Sequence, residues 1–452
     1  MNIAQHLRCT TLLLVTVFAG LPIPSARADG AEKARSKRPP NILFIMADDV
    51  GSEVLGSYGG TSYKTPQLDK LAGTGTRFTH CYSMPVCHPS RIALMTGQYP
   101  FRTQTRWGSF PNDVETVAHV LQGAGYATAV AGKWQLVLQK TQPDHPKLLG
   151  FDESCLFGWH EGPRFHKPHI WQNGRRLTEV EKPDVFGPDV YCDFLIDFIT
   201  RNRQKPFFAY FPMALCHEIS DDFSPVPPPA PDGHYLTFTE MAESMDTIIG
   251  RLVAALDRLR LRERTLVLFT TDNGSPKSYL TDVIERDGKI KRLREPVISM
   301  RNGEEVHGGK GELTDRGTRV PLIANWPGVT PSGEVNDDLV DFTDFLPTFA
   351  ELAKAKLPQG QLADGQSFAP RLLGSSGRPR TFVYCERGKS YWVRSQRWKL
   401  YNDGRLFDME ADSEEKKPIR PDDDTSDSAA ARSKLQEPLD ALRPVDPKRD
   451  GP

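Results

Sequence analysis

Four apolar runs, each ending in polar residues, most constrain how this chain can fold. The first is residues 42–46, ILFIM, leading to Asp48 and Asp49. ATAVAG at 127–132 leads to Lys133, FFAYFPMAL at 207–215 leads to His217, and TLVLFTT at 265–271 leads to Asp272 and Asn273. Runs this short, apolar without alternation, read as strands buried on both faces. Helical patterns separate them. Residues 114–122 form one; Tyr191, Leu195, Phe198 and Ile199 share a second helix face, and Met241, Met245, Ile248, Leu252, Leu256 and Leu259 a third. The expected fold is therefore α/β, a large, mostly parallel sheet with helices on both faces. Ligands in such sheets bind beyond the carboxyl ends of the strands, so four segments remote in sequence can meet at one site.

Residues 1–28 pair Arg8 with a short apolar run at 12–21 and end in Ala26-Arg27-Ala28. That reads as a signal peptide cleaved near Ala28-Asp29, giving a secreted or periplasmic protein. The run is too short to cross a bilayer, so no stable membrane insertion is expected. The 57 basic and 58 acidic side chains nearly cancel, which argues against a nucleic-acid partner. Residues 29–40 read as a linker and 41–374 as the main domain. From 375 to 410, short aromatic and β-branched runs alternate with turn residues, which predicts a small antiparallel sheet. Residues 411–452 are so rich in charge, Pro and Ser that a solvated, poorly ordered tail is expected. The stretch 275–306, rich in Lys and Arg, reads as an insertion, either a contact for an anionic polysaccharide or an ordinary solvated loop.

Asp48, Asp49, Asp272 and Asn273 offer hard oxygen donors without imidazole, a set suited to Ca²⁺ or Mg²⁺ over Zn²⁺. Taken singly, the same residues serve as ordinary turn formers. Adjacent carboxylates at the end of a buried strand are costly without a cation. Cys87 opens CHPSRIALMTG at 87–97, where Pro89 suits a first helical turn and Gly97 a stop. A thiol at a helix N-terminus is a candidate nucleophile, and otherwise a buried structural cysteine.

CHPSR has the form C-x-P-S-R and resembles the maturation motif of the formylglycine-dependent sulfatases, of the arylsulfatase type. NILFIMADDVG at 41–51, the Thr96-Gly97 pair, GKW at 132–134, FTTDNG at 269–274 and GGKGELTDRGTRVPLI at 308–323 resemble that family's signatures in its order. The resemblance spans residues 40–410. It implies hydrolysis of a sulfate ester, on a small molecule or a carbohydrate, by a formylglycine that a dedicated maturation enzyme makes from Cys87. It further implies a divalent cation, calcium ahead of magnesium, on Asp48, Asp49, Cys87, Asp272 and Asn273. Arg91 would polarise the formylglycine, Lys133 and Lys310 would grip sulfate oxygens, and His217 would protonate the leaving oxygen.

One position departs from the family pattern. Where many members read G-K-W-H, this chain has Gln135, whose amide cannot accept a proton at neutral pH. Either another group deprotonates the formylglycine hydrate, with His307 the candidate, or sulfate release is altered. His160, His166 and His169 read as pocket-lining or solvated loop residues. Two other functions share the scaffold. One is a formylglycine-dependent phosphodiesterase or phosphonate hydrolase; the other is a glycan-binding relative without catalysis.

Overall fold

In the computed structural model the first apolar run becomes a strand whose seven residues are all buried. Leu43, Ile45 and Ala47 enter one core, and Ile42, Phe44 and Met46 the other, because successive side chains on a strand point to opposite faces. The described residues are 38–103, 107–178, 181, 185–219 and 226–442. The expected signal peptide, most of the expected linker and the last ten residues of the expected tail lie outside them.

In chain order the strands are β1 (Asn41–Ala47), β2 (Thr76–Tyr82), β3 (Ala127–Lys133), β4 (Glu153–Phe157), β5 (Ile170–Gln172), β6 (Arg175–Arg176), β7 (Phe207–Pro212) and β8 (Thr265–Thr271). Two hairpins follow, β9 (Ser278–Arg286) with β10 (Lys289–Pro296) and β11 (Ile298–Arg301) with β12 (Glu304–His307). Then come β13 (Arg319–Asn325), β14 (Glu334–Asp341) and the C-terminal strands β15 (Val383–Arg387), β16 (Ser390–Arg394), β17 (Trp398–Tyr401) and β18 (Leu406–Asp408). The main sheet runs β14-β2-β13-β8-β1-β7-β3-β4-β5-β6. Its centre, from β8 to β4, is parallel. β13 runs antiparallel between β2 and β8, and β5 and β6 add an antiparallel edge.

Helices cover both faces, as the alternating pattern predicts. Leu68, Tyr191, Leu195, Met241 and Met245 pack on one face, from helices Pro66–Gly73, Gly187–Arg201 and Phe238–Arg258. Ile92, Leu94, Val117, Phe345 and Phe349 pack on the other, from helices Cys87–Thr96, Val117–Gly123 and Phe345–Ala353. Among the described residues, no helix is long and apolar enough to cross a membrane.

Two expectations need correction. The stretch 275–306 is largely the two hairpins. Their turns place Asp287-Gly288 and Asn302-Gly303 at positive φ, the conformation that Asp-Gly and Asn-Gly favour in two-residue hairpin loops. The expected poorly ordered tail instead contains a helix, Ser426–Ala441, capped by Thr425. Leu435, Leu439 and Leu442 recur at helical spacing and enter a third core with Trp392, Leu400 and Leu406 of the C-terminal sheet. Arg432 fastens this segment through Asp424, at 2.7 Å, and the Gly404 carbonyl, at 2.7 Å. Charge averaged over the whole segment hides that three-leucine stripe. Truncating Leu439 to alanine is expected to destabilise the protein by about 2–4 kcal/mol, read as a lower urea midpoint. An unchanged midpoint would contradict the packed helix.

Candidate active site

Strand register brings the polar ends together. Ala47 pairs with Thr271, so Asp48 and Asp272 leave the sheet side by side, and the Asp272 amide donates to the Ala47 carbonyl at 3.1 Å. Beyond β7 the chain folds back over β1. Asp48 donates to the Leu215 carbonyl at 2.8 Å and accepts from the Cys216 amide at 2.6 Å, which carries His217 to the same end. Lys133 closes β3. Gly132 before it has φ 122°, and a Cβ there would lie 2.0 Å from the Pro212 carbonyl oxygen, so only glycine lets this end of β3 pass so close to β7. Lys310 is fixed through its amide, which donates to the Ser275 carbonyl at 2.9 Å.

Cys87 is the first residue of helix Cys87–Thr96, after an extended Val86 and before a left-handed Gly97. Unsatisfied amides at a helix start favour negative charge. Cys87 is 3 % exposed. It, Cys81, Cys155, Cys192, Cys216 and Cys385 are all buried, and none of them is in a disulfide. One turn along, Arg91 donates to the Lys133 carbonyl at 2.8 Å and pairs with Asp272 Oδ2 at 2.7 Å. A single guanidinium thus ties the cysteine helix to two strand ends.

Lys133 Nζ meets Asp48 Oδ2 at 2.5 Å, and Lys310 Nζ meets Asp49 Oδ2 at 2.6 Å. Asn273 Nδ2 donates to Asp49 Oδ1 at 2.8 Å, and His217 Nε2 lies 3.8 Å from Asp49 Oδ2. Cys87 Sγ and carboxylate oxygens of Asp48 and Asp272 all fall within 4.8 Å of one another. Burial pushes the Asp48 carboxyl up, but Lys133, Arg91, Arg164 and Lys310 outweigh it and hold it below its usual value. Burial, then the charge of Asp48, pushes Asp272 up to about 7. The donor set fits a hard cation. Asp48 Oδ1 and Asn273 Oδ1 are buried without a hydrogen-bond partner, and added positive charge would favour the ionised Asp272. His217 donates from Nδ1 to the Glu218 carbonyl at 3.0 Å, which turns Nε2 to the cluster. Burial, then Arg164, Lys310, Lys133 and Arg91, keep its ring neutral, well below the ordinary histidine value.

Asp48, Asp49, Cys87, Arg91, Lys133, His217, Asp272, Asn273 and Lys310 thus converge. Gln135 is buried close by in sequence, at φ 53°, with Oε1 unpartnered. His307 does not join them: it is exposed, at the end of β12 opposite Ile298. His160 is exposed with its ring against Trp159, His166 packs on Phe186, and His169 lies 3.0 Å from Arg176. Two residues that sequence reasoning missed lie near the site. His88 accepts from the Gly108 amide at 3.0 Å, and burial, then Arg91 and Lys133, lower its pKa to about 3. Arg164 lies 3.6 Å from Asp48 Oδ2. The position of His88 beside Cys87 was a signal; Arg164, inside a Gly-Pro loop, gave none.

Known proteins resemble this chain in sequence and in fold. The family described as Sulfatase matches residues 40–355, and the C-terminal region of N-sulphoglucosamine sulphohydrolase matches 303–444. Arylsulfatase A of Bos taurus is 34% identical over 400 residues, covering 80% of this chain and 75% of its own. N-acetylgalactosamine-6-sulfatase of Canis lupus familiaris is 30% identical, covering 88% and 78%. In fold alone, the chain is similar to a solved protein from work on glycosaminoglycan metabolism by Bacteroides thetaiotaomicron. The TM-score is 0.71 at 23% identity, over 90% of this chain and all of that one. The chain therefore belongs to the sulfatase family, the hydrolases of sulfuric esters.

Proposed function

We propose that this sulfatase cleaves an aryl or carbohydrate sulfate through a formylglycine made from Cys87, with calcium, or less favourably magnesium, bound beside it. The observation that carries this reading is the approach of Cys87 Sγ to the Asp48 and Asp272 carboxylates, within 4.8 Å, with Lys133 and Lys310 alongside. The thiol stands where the formylglycine oxygens would act. Once hydrated, that group would supply one hydroxyl to attack sulfur and a second whose deprotonation would let sulfate leave. Asp48, Asp49, Asp272, Asn273 and residue 87 would hold the cation, which would supply positive charge against the sulfate oxygens.

The chain's own side chains do the rest. Lys133 and Lys310 neutralise sulfate oxygens as charge moves onto them. Arg91 holds residue 87 in line. His217 delivers a proton to the bridging oxygen as the sulfur–oxygen bond breaks. Burial and the nearby cations keep its ring neutral, and an arriving sulfate offsets part of that positive charge, so substrate binding raises its affinity for a proton. The maturation enzyme, the leader at 1–28 and export to the periplasm or the exterior belong to the same proposal.

Gln135 leaves proton removal from the second hydroxyl without a base in the family's place, and exposed His307 does not supply one. Sulfate release becomes the slow step. Calcium-loaded protein, coexpressed with a formylglycine-generating enzyme, should hydrolyse an aryl sulfate in preference to an aryl phosphodiester. One equivalent of alcohol should appear as a burst before a slower steady state. Gln135→His should speed that steady state, since a positioned base contributes about 10²–10⁴ in rate. Preference for the phosphodiester would overturn the sulfatase reading. A linear time course, with Gln135→His unchanged, would overturn only the slow-release step.

A further inference from the structure

One buried cation at this site is given no contact with the substrate in the chemistry above. Arg164 is 3 % exposed, its guanidinium carbon 4.9 Å from the centre of the Phe157 ring. Its approach to Asp48 Oδ2, at 3.6 Å, is too long for a hydrogen bond, and Lys133 holds that oxygen at 2.5 Å. Nε and Nη1 of Arg164 are buried without a hydrogen-bond partner. Unpaired donors on a buried charge are expensive and call for an explanation. The loop that carries them is firmly held: Glu161 accepts from the Lys140 amide at 2.8 Å and from Trp171 Nε1 at 2.7 Å.

Charge and position narrow the explanation. The carboxylates Asp48, Asp49 and Asp272 face four cationic side chains, Lys133, Lys310, Arg91 and Arg164. A bound divalent cation adds to that surplus, whereas a sulfate monoester brings a single negative charge. Lys133 and Lys310 already serve the transferred sulfate. Arg164 is the cation beside them whose donors Nε and Nη1 have no hydrogen-bond partner, which leaves it for another group of the substrate.

We propose that Arg164 binds a second anionic group, a sulfate or a carboxylate, on the leaving sugar and so selects multiply charged carbohydrate sulfates. This rests on the sulfatase reading. The test is calorimetric titration of calcium-loaded Cys87→Ala protein, which cannot turn substrate over. Three probes are compared: N-acetylglucosamine 6-sulfate, glucosamine 2-N,6-O-disulfate and a 2-sulfated uronic acid. At least one doubly charged probe should bind about tenfold or more tightly than the singly charged one, as a charge-assisted hydrogen bond predicts. The preference should shrink with added salt. Adding Arg164→Gln should erase it and change monosulfate affinity by about twofold at most, while Arg164→Lys should keep part of it. The probe that loses affinity identifies the second group as sulfate or carboxylate. Equal losses on all three probes would place Arg164 on the transferred sulfate and overturn the proposal. So would no loss, or no preference before Arg164 is changed. Turnover of an aryl sulfate by the Cys87 enzyme is measured separately: its absence would overturn the sulfatase reading, while the binding comparison judges Arg164.

Discussion

Replacing Cys87 by alanine should lower turnover by about 10⁴-fold or more, the scale on which an enzyme loses its nucleophile. The fold should survive. The thiol is small, the substitution falls at the start of helix Cys87–Thr96, and alanine is the best helix former. Arg91 keeps both its partners, the Lys133 carbonyl and Asp272. Lys133, Lys310 and the other proposed cation ligands, Asp48, Asp49, Asp272 and Asn273, also stay, so a sulfated inhibitor should still bind the variant. Loss of activity with binding retained locates the defect at the reacting atom. Turnover within tenfold of the parent would show that the nucleophile lies elsewhere.

Asp272→Ala should be the second most damaging change. Asp272 is wholly buried, pairs with Arg91 at 2.7 Å and accepts from the Asp49 amide at 3.1 Å. Removing one partner of a buried ion pair costs about 3–5 kcal/mol, because the other is left uncompensated. Asp272→Asn keeps an acceptor for the Asp49 amide and should recover part of that stability. Neither variant restores the carboxylate that the proposed cation site needs. Both should lose at least about 10²-fold in activity, and added calcium should recover little. Calcium should raise the unfolding midpoint of the parent protein, by preferential binding to the native state, and that of Asp272→Asn far less. Full activity of Asp272→Ala in a chelator would contradict the cation site.

Much of this architecture was legible because burial on both faces leaves a plain mark. In β1, alternate side chains feed two cores, so neither set can be polar. The exit residues were readable for the same reason: Asp48 follows a strand that is apolar at every position after Asn41. What the sequence could not supply was register. Asp49 and Asp272 stand 223 positions apart and meet only because Ala47 pairs with Thr271. The antiparallel β13 was hidden too, since its run VPLIAN looks like that of any buried strand. The hairpins were legible at Asp287-Gly288 and Asn302-Gly303 and were missed because the stretch was judged by composition. Arg164 could not be found locally: its burial comes from Phe157 and the strand ends around it, and a guanidinium in a Gly-Pro loop is normally solvated. His307 misled in the opposite sense. Its nearness in sequence to Lys310 suggested a place at the site, yet the hairpin that carries it leaves the ring exposed.

The central claim is that Cys87 is the precursor of the catalytic group, and the most direct test is the mass of the peptide containing it. Active protein purified from its own host should yield that peptide about 18 Da lighter than the cysteine form, the change expected when a thiol side chain becomes an aldehyde. The lighter fraction should rise with specific activity from one preparation to the next. Fully active protein carrying only unmodified cysteine at position 87 would contradict the account.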